Sequence, residues 1–366
     1  MKIAAVLRCF TRKGSCRYAV EVFTHFIRKG HEVHVYSNSW DKELEKTGLH
    51  FHKIPSIKGN FILQELSFMV FATSIMKFKK YDLVYSQPGR FFSPDVAGVH
   101  ICATNGIIGQ LPKEPSQRVL YMIERRNLKK CKKIIAVSEH IKMELVSNYS
   151  VPPEKVTVIH NGINTEEFRP ATEKERTSAR EMFGIPKEAF VILFAGKPFS
   201  RKGLEYLMRA MPFIKRKAFL FIVGNEEIEK YANLIKESRL EERLKHVKFM
   251  EKISDAYHAA DMFVFPTIYE PFGLVITEAM ASGLPVITSR TSGAAEIMED
   301  GKDGLLLDDP TDANEIAAKI NRLIDDSGLR EELRKTELQK LGDYSWDNVA
   351  QRWLDVFEMA EKTQTF

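Results

Sequence analysis

The segment from Ala260 to Thr288 constrains the fold more than any other part of this 366-residue chain. Ala260-Asp261-Met262-Phe263-Val264-Phe265-Pro266 is a short apolar run closed by proline, the pattern of a buried parallel strand, and Val286-Ile287-Thr288 begins another. Between them Pro271 suits a helix entrance, Gly273 to Ala281 has helical composition, and Gly283 followed by Pro285 is a stop signal. The stretch therefore reads as strand, loop, helix, strand.

That order gives two glutamates a chemical setting. Glu270 falls in the loop at the strand's C-terminal edge, and Glu278 lies about one and a half turns into the helix. The N–H groups of Phe272, Gly273 and Leu274 open the helix without intrahelical partners, and helical side chains lean toward the N-terminus, so Glu278 points back at the same crevice. Two carboxylates and a row of amides then face a polyhydroxylated ligand: Glu278 suits two vicinal ribose hydroxyls and Glu270 a sugar hydroxyl. Two glutamates eight residues apart are by themselves more often a solvated helix face. The flanking Glu-Pro-Phe-Gly-Leu and Gly-Leu-Pro-Val make the pattern far more specific.

With Glu270, Phe272-Gly273 and Glu278 in this arrangement, the segment resembles the signature of retaining glycosyltransferases of family 4, which have the GT-B fold. The resemblance implies that Glu278 holds the nucleotide ribose while Glu270 and the following amides of Phe272, Gly273 and Leu274 hold the transferred sugar. It covers most of the chain, is specific over residues 134–168 and 190–300, and is thin over 40–130. His31-Glu32-Val33 to Ser37-Asn38-Ser39-Trp40 is similar to the lipopolysaccharide core glucosyltransferase I group.

The rest of the chain fits an α/β protein of two Rossmann-like, doubly wound parallel-sheet domains facing across a cleft. Lys2 to Leu7, His31 to Ser37 and Asp82 to Ser86 read as strands, and Tyr18 to Arg28 as a helix. The first loop, Arg12-Lys13-Gly14-Ser15, lacks a dinucleotide fingerprint, which argues against a dehydrogenase. Family 4 enzymes often carry Gly-Gly there, near the donor phosphate; Gly14-Ser15 departs by one residue, so the resemblance reaches Gly14 alone. His100 follows an apolar strand at the sheet's C-terminal edge, where the family often places a catalytic histidine, although a lone histidine is more often structural.

Phe190 to Ala195 opens a second domain and leads into Gly196-Lys197-Pro198-Phe199-Ser200-Arg201-Lys202-Gly203. A glycine-bounded basic loop at a helix entrance is a diphosphate cradle, with Arg201 and Lys202 as its cations and Lys197 in place of the family's usual arginine. Val247-Lys248-Phe249 reads as a short strand, and Gly301 to Leu307 as a hairpin-like stretch. The expected division is a domain over 1–170, a nucleotide-sugar domain over 171–345, and a C-terminal helix over 346–366 that returns to the first domain, with a charged linker at Arg169 to Thr177.

Charge bears on partners. Residues 1–170 carry 26 Lys and Arg against 15 Asp and Glu, a balance of +11, and the remaining 28 against 34 give −6. Within the basic half, Phe61 to Phe78 is apolar around the helix, and Arg118 to Lys133 interleaves Val119, Leu120, Met122, Ile123 and Leu128 with Arg125, Arg126, Lys129, Lys130, Lys132 and Lys133. A solvated face explains such a run, and so does an interfacial helix on anionic lipid. The corresponding region of the lipopolysaccharide core group is associated with membrane attachment. Nucleic acid would account for the basic half but not the acidic one, so no nucleic-acid partner is expected.

Four cysteines, Cys9, Cys16, Cys102 and Cys131, have neither zinc-site spacing nor a disulfide framework. The N-terminus meets its second charge too early for a signal peptide. The expectation is a cytoplasmic enzyme, peripheral on the inner face of the cell membrane.

The reaction expected is transfer of a hexose from a nucleotide-diphosphate sugar, a UDP-sugar by preference, to a lipid-linked glycan such as a lipopolysaccharide core. No clear nucleophile is present, which favours front-face return of the acceptor over double displacement. His100, Glu270, Arg201 and Lys202 form the catalytic set, and Gly14, Lys197, Arg201, Lys202, Phe272, Gly273, Leu274 and Glu278 the donor-binding set. No cofactor and no metal are expected, because cations and helix N-termini can absorb charge on the leaving diphosphate. GDP-mannose or a small-molecule acceptor remains open, and so does a non-catalytic sugar-nucleotide sensor.

Overall fold

The computed structural model describes residues 1–12, 16–104, 112 and 114–363. The chain forms two compact units, Met1–Gly162 with Trp346–Phe366, and Ile163–Ser345. The first unit ends at Gly162, ahead of the expected boundary at residue 170.

In chain order the first unit contains β1 (Lys2–Val6), β2 (Cys9–Phe10), α1 (Arg17–Arg28), β3 (Glu32–Ser37), β4 (Ser39–Trp40), β5 (His50–Lys53), α2 (Phe61–Met76), β6 (Leu83–Ser86), β7 (Val96–Val99), α3 (Pro115–Lys130), β8 (Lys133–Ala136), α4 (Glu139–Tyr149) and β9 (Val156–Val158). Seven of these strands make a sheet in the order β5-β3-β1-β6-β7-β8-β9. Every pair in it is parallel. Strands are added outward from β1 on one side and from β6 on the other, so the topological switch point lies between these two.

The second unit contains α5 (Glu173–Phe183), β10 (Phe190–Ala195), α6 (Leu204–Ala210), β11 (Ala218–Val223), α7 (Ala232–Glu237), β12 (Leu244–Val247), α8 (Ser254–Ala259), β13 (Met262–Phe265), α9 (Leu274–Ala281), β14 (Val286–Ser289), β15 (Leu305–Leu307), α10 (Ala313–Asp325) and α11 (Ser327–Leu341). Its sheet is parallel throughout, in the order β12-β11-β10-β13-β14-β15, with the switch point between β10 and β13. All six residues of β10 are buried, as suits a parallel strand covered on both faces.

The closing helix α12 (Trp346–Lys362) belongs to the first unit and packs on α1. Phe357 meets Phe26 edge-on with ring centroids 5.2 Å apart, Trp353 lies 5.5 Å from Tyr18, and His25 Nδ1 bonds the Asp347 carboxylate at 2.9 Å. A buried side chain of this size contributes roughly 1.5–3 kcal/mol, so the aromatic cluster is ample reason for α12 to close this unit.

Several expectations need correction. The charged stretch at 169–177 is no simple linker: α5 begins at Glu173, and Thr172 and Glu175 form a reciprocal capping box, so charge there marks a helix start. The strand expected at Val247-Lys248-Phe249 is β12, ending at Val247 and set by parallel pairing with β11. Residues 301–307 contain no hairpin; Leu305–Leu307 pairs parallel with β14. The basic helix ends at Lys130, with Lys132 bound to Asp95 at 2.7 Å and Lys133 opening β8. Cys9 and Cys16 form a disulfide, because β2 and the start of α1 bring their Cα atoms to 6.6 Å, a proximity that a seven-residue spacing does not announce. Cys102 and Cys131 are free and buried.

Candidate functional site

The second unit's switch point is built from the loops that leave β10 and β13. Arg201 and Lys202 sit in the first, and Glu270 in the second. Lys202 Nζ contacts the Glu270 carboxylate directly, both side chains being largely buried, and lies 5.2 Å from the Phe265 ring centroid. Burial, and then the neighbouring Arg201 charge, pull the Lys202 ammonium down to about 7; the Glu270 carboxylate against it opposes that pull. Arg201, also lowered chiefly by burial, donates from Nη1 to the Tyr269 carbonyl at 3.2 Å.

Backbone bonds fix the two loops to each other. Thr267 Oγ1 bonds the carbonyls of Arg201 and Tyr269 at 3.2 and 3.1 Å, and Ile268 N–H donates to the Arg201 carbonyl at 3.0 Å. Glu226 accepts the Phe199 N–H at 2.7 Å and steadies the first loop. The turn after β14 supports the second: the N–H groups of Gly293 and Ala294 donate to the carbonyls of Glu270 and Phe272 at 2.9 and 2.7 Å. Two glycines permit this closeness. A Cβ on Gly203, whose φ is +80°, would lie 1.9 Å from the Pro266 carbonyl oxygen, and one on Gly293 would lie 2.2 Å from that of Pro271.

The helix α9 begins at Leu274 behind Gly273, with Phe272 buried just before it. Glu278 is buried farther along this helix, and its carboxylate accepts a 2.9 Å hydrogen bond from the Tyr257 hydroxyl of α8. Lys197 is exposed at the start of the β10 loop. The structure thus joins Lys202 with Glu270, puts Arg201 beside them, and anchors Glu278 through a separate partner. Thr267 and Tyr257 were absent from the expected set; their signal was only a hydroxyl beside the motif and another 21 residues before Glu278.

The two other expected residues are in the first unit. Gly14 lies outside the described residues. His100 is stacked on Tyr18 with centroids 3.6 Å apart and lies 6.3 Å from the Trp353 ring. Its Nε2 is shielded and has no hydrogen-bond partner among the described residues, and burial pushes its pKa down to about 3, so it is a neutral imidazole at physiological pH. Such a ring can make a hydrogen bond but carries no charge.

On α3, Arg125, Arg126, Lys129 and Lys130 are exposed, and Met122 is 59% exposed among them. Tyr121, Met122, Arg125, Arg126 and Lys129 line a cavity of about 300 Å³. The apolar helix α2 buries Phe68, Ala72 and Met76 against Ala4, Val6, Tyr36 and Ile54, while Phe61, Leu63, Val70 and Ile75 remain exposed. Among the described residues no helix is long and apolar enough to cross a membrane, and no group of three or more His, Cys, Asp or Glu side chains is arranged to hold a metal ion.

Residues 175–339 match the model for glycosyl transferases group 1, and residues 12–167 that for glycosyltransferase family 4. An uncharacterized glycosyltransferase of Methanocaldococcus jannaschii is 30% identical over 357 residues, covering 91% of each chain. A D-inositol 3-phosphate glycosyltransferase of Streptomyces bingchenggensis is 31% identical over 68% of this chain and 56% of its own length. Among solved structures, WaaG, a glycosyltransferase involved in lipopolysaccharide biosynthesis, superposes with a TM-score of 0.83 at 20% identity, covering 97% of this chain and 99% of WaaG. Anabaena Alr3699/HepE in complex with UDP-glucose superposes at 0.80 with 18% identity, covering 98% of this chain and all of HepE. Relatedness along nearly the whole chain and two parallel-sheet units of this topology make the protein a member of the family 4, group 1 glycosyltransferases, with the GT-B fold.

Proposed function

We propose that this enzyme transfers a hexosyl group from a nucleotide-diphosphate sugar, a UDP-sugar by preference, to a lipid-linked glycan acceptor of the lipopolysaccharide-core kind, with retention at the anomeric carbon. The observation that carries the donor half of this reading is the apposition of Lys202 and Glu270 at the switch point between β10 and β13, the edge at which open α/β sheets bind ligands. In this reading Arg201 and Lys202 meet the diphosphate and absorb the charge that grows on it as the sugar leaves, without calling on a metal. Glu270 and the amides at the start of α9 take sugar hydroxyls, and Glu278, steadied by Tyr257, takes the ribose. His100, held neutral, is assigned hydrogen bonding rather than proton transfer. HepE, crystallised with UDP-glucose, supports the choice of uridine.

The lipid-linked acceptor is supported by the likeness to WaaG and by α3, whose exposed cations and Met122 suit a peripheral seat on the anionic inner face of the membrane. A small phosphorylated acceptor is the second reading, favoured by relatives named for D-inositol 3-phosphate. Melting curves with UDP, GDP, ADP and NAD, each with and without magnesium, test the donor site. A ligand at a hundred times its Kd adds about 2.7 kcal/mol, a visible shift. A metal-independent shift with UDP is expected; a response to NAD alone, or to none of the four, would sink the reading.

A further inference from the structure

We infer that the Lys202–Glu270 ion pair makes this site discriminate the intact sugar donor from the nucleoside diphosphate that remains after transfer; the inference rests on the donor reading above. Among the described residues each partner's ion pairing is with the other alone: no second carboxylate reaches Lys202, and Arg201 bonds the Tyr269 carbonyl instead of Glu270. The pair is enclosed, Lys202 being 6% exposed and the Glu270 side chain 12%. It also bridges two tied loops, through Thr267 on one side and Gly293 on the other, so neither charge can readily swing to solvent.

A diphosphate that draws Lys202 away therefore strands a buried carboxylate, and removing one partner of a buried pair is far costlier than keeping both. A sugar still attached to the diphosphate brings hydroxyl donors to Glu270 and offsets that cost. The bare nucleoside diphosphate brings none. Once the sugar has left with the acceptor, Glu270 reclaims Lys202 and the diphosphate is expelled. The two residues thus act alternately on each other and on the two ends of one donor. If the pair were only a brace between loops, loss of the Glu270 charge would weaken both ligands alike.

Calorimetric titration of the full chain separates these outcomes, with UDP and UDP-glucose as probes and GDP and GDP-mannose as a second pair. Wild type should bind the sugar nucleotide more tightly than its diphosphate. Glu270→Gln should bind the diphosphate about tenfold more tightly than wild type, as expected for releasing a charge-assisted pair, and the sugar nucleotide no more tightly. Equal or tighter binding of the diphosphate by wild type, which needs no variant, would overturn the inference. So would an equal loss of both ligands in Glu270→Gln, while the donor reading would survive. Binding of neither pair to wild type would remove the donor reading itself and the inference with it.

Discussion

The two sheets have the same parallel, doubly wound plan, yet their switch points arrange charge differently. Between β10 and β13, with Arg201 alongside, Lys202 pairs with Glu270, each from a loop that directly continues a central strand. Between β1 and β6, Arg8 follows the first strand and Arg90 the second, and both converge on Glu65, which comes from α2 and is 1% exposed. Gln64 also accepts from Arg8. In that cluster both cations bind the one acid, which is held by a helix packed on the sheet. Topology delivers loops to the same place in both units; the origin of the carboxylate separates a pair between two loops from a cluster that ties a helix to the sheet.

The largest effect expected from breaking this comparison is on turnover. Lys202→Ala combined with Glu270→Gln, so that no buried carboxylate is stranded, should lower the rate of sugar transfer by about a hundredfold or more, the size seen when one donor to a developing oxyanion is removed, with little change in melting temperature. A transfer rate within a few-fold of wild type would show that the β10–β13 pair is not part of the machinery. Glu65→Ala should do the reverse. It leaves two guanidiniums without their shared acid and should destabilise the first unit by about 3 kcal/mol, seen as faster amide exchange in β1 and β6 while β10 and β13 stay protected. Unchanged exchange would mean the first cluster is as dispensable to folding as the second is expected to be.

The smallest effect concerns acid. His34 Nδ1 lies 2.8 Å from His52 Nε2, and burial lowers both rings below the ordinary 6.5. Glu32 bonds His34 and opposes that fall, whereas His50, Lys2 and Lys79 add to it, and Tyr81 packs on His34 while Tyr36 stacks on His52. The folded state therefore favours neutral rings. Their stabilisation is full above about pH 6.5 and declines as the pH falls through the lowered folded values. Melting curves between pH 8 and pH 5 should show that decline shrink in His52→Gln; an identical pH profile would discount the pair.

Much of the second unit was legible because its chemistry is contiguous. Phe190 to Ala195 matched β10 residue for residue, the helix through Ala281 was placed to within one residue, and the basic loop and Glu270 sit in runs whose neighbours supply turn and stop signals. The first unit hid more. Arg8, Glu65 and Arg90 are 57 and 25 residues apart, and no local period ties them. The Cys9–Cys16 bond and the helix inside the supposed linker were missed for related reasons: one depends on β2 and the start of α1 coming together, and the other looked polar because an exposed helix start is polar.

Local pattern alone thus decided where strands and helices alternate, which loops are basic or acidic, and that two parallel sheets result, since periodicity and turn chemistry act within a few residues. Only the folded chain decided that Lys202 lies on Glu270, that Tyr257 holds Glu278, and that His100 is stacked and neutral. Those facts depend on burial and on contacts between distant segments, and burial sets both the strength of a charge pair and the proton affinity of its members.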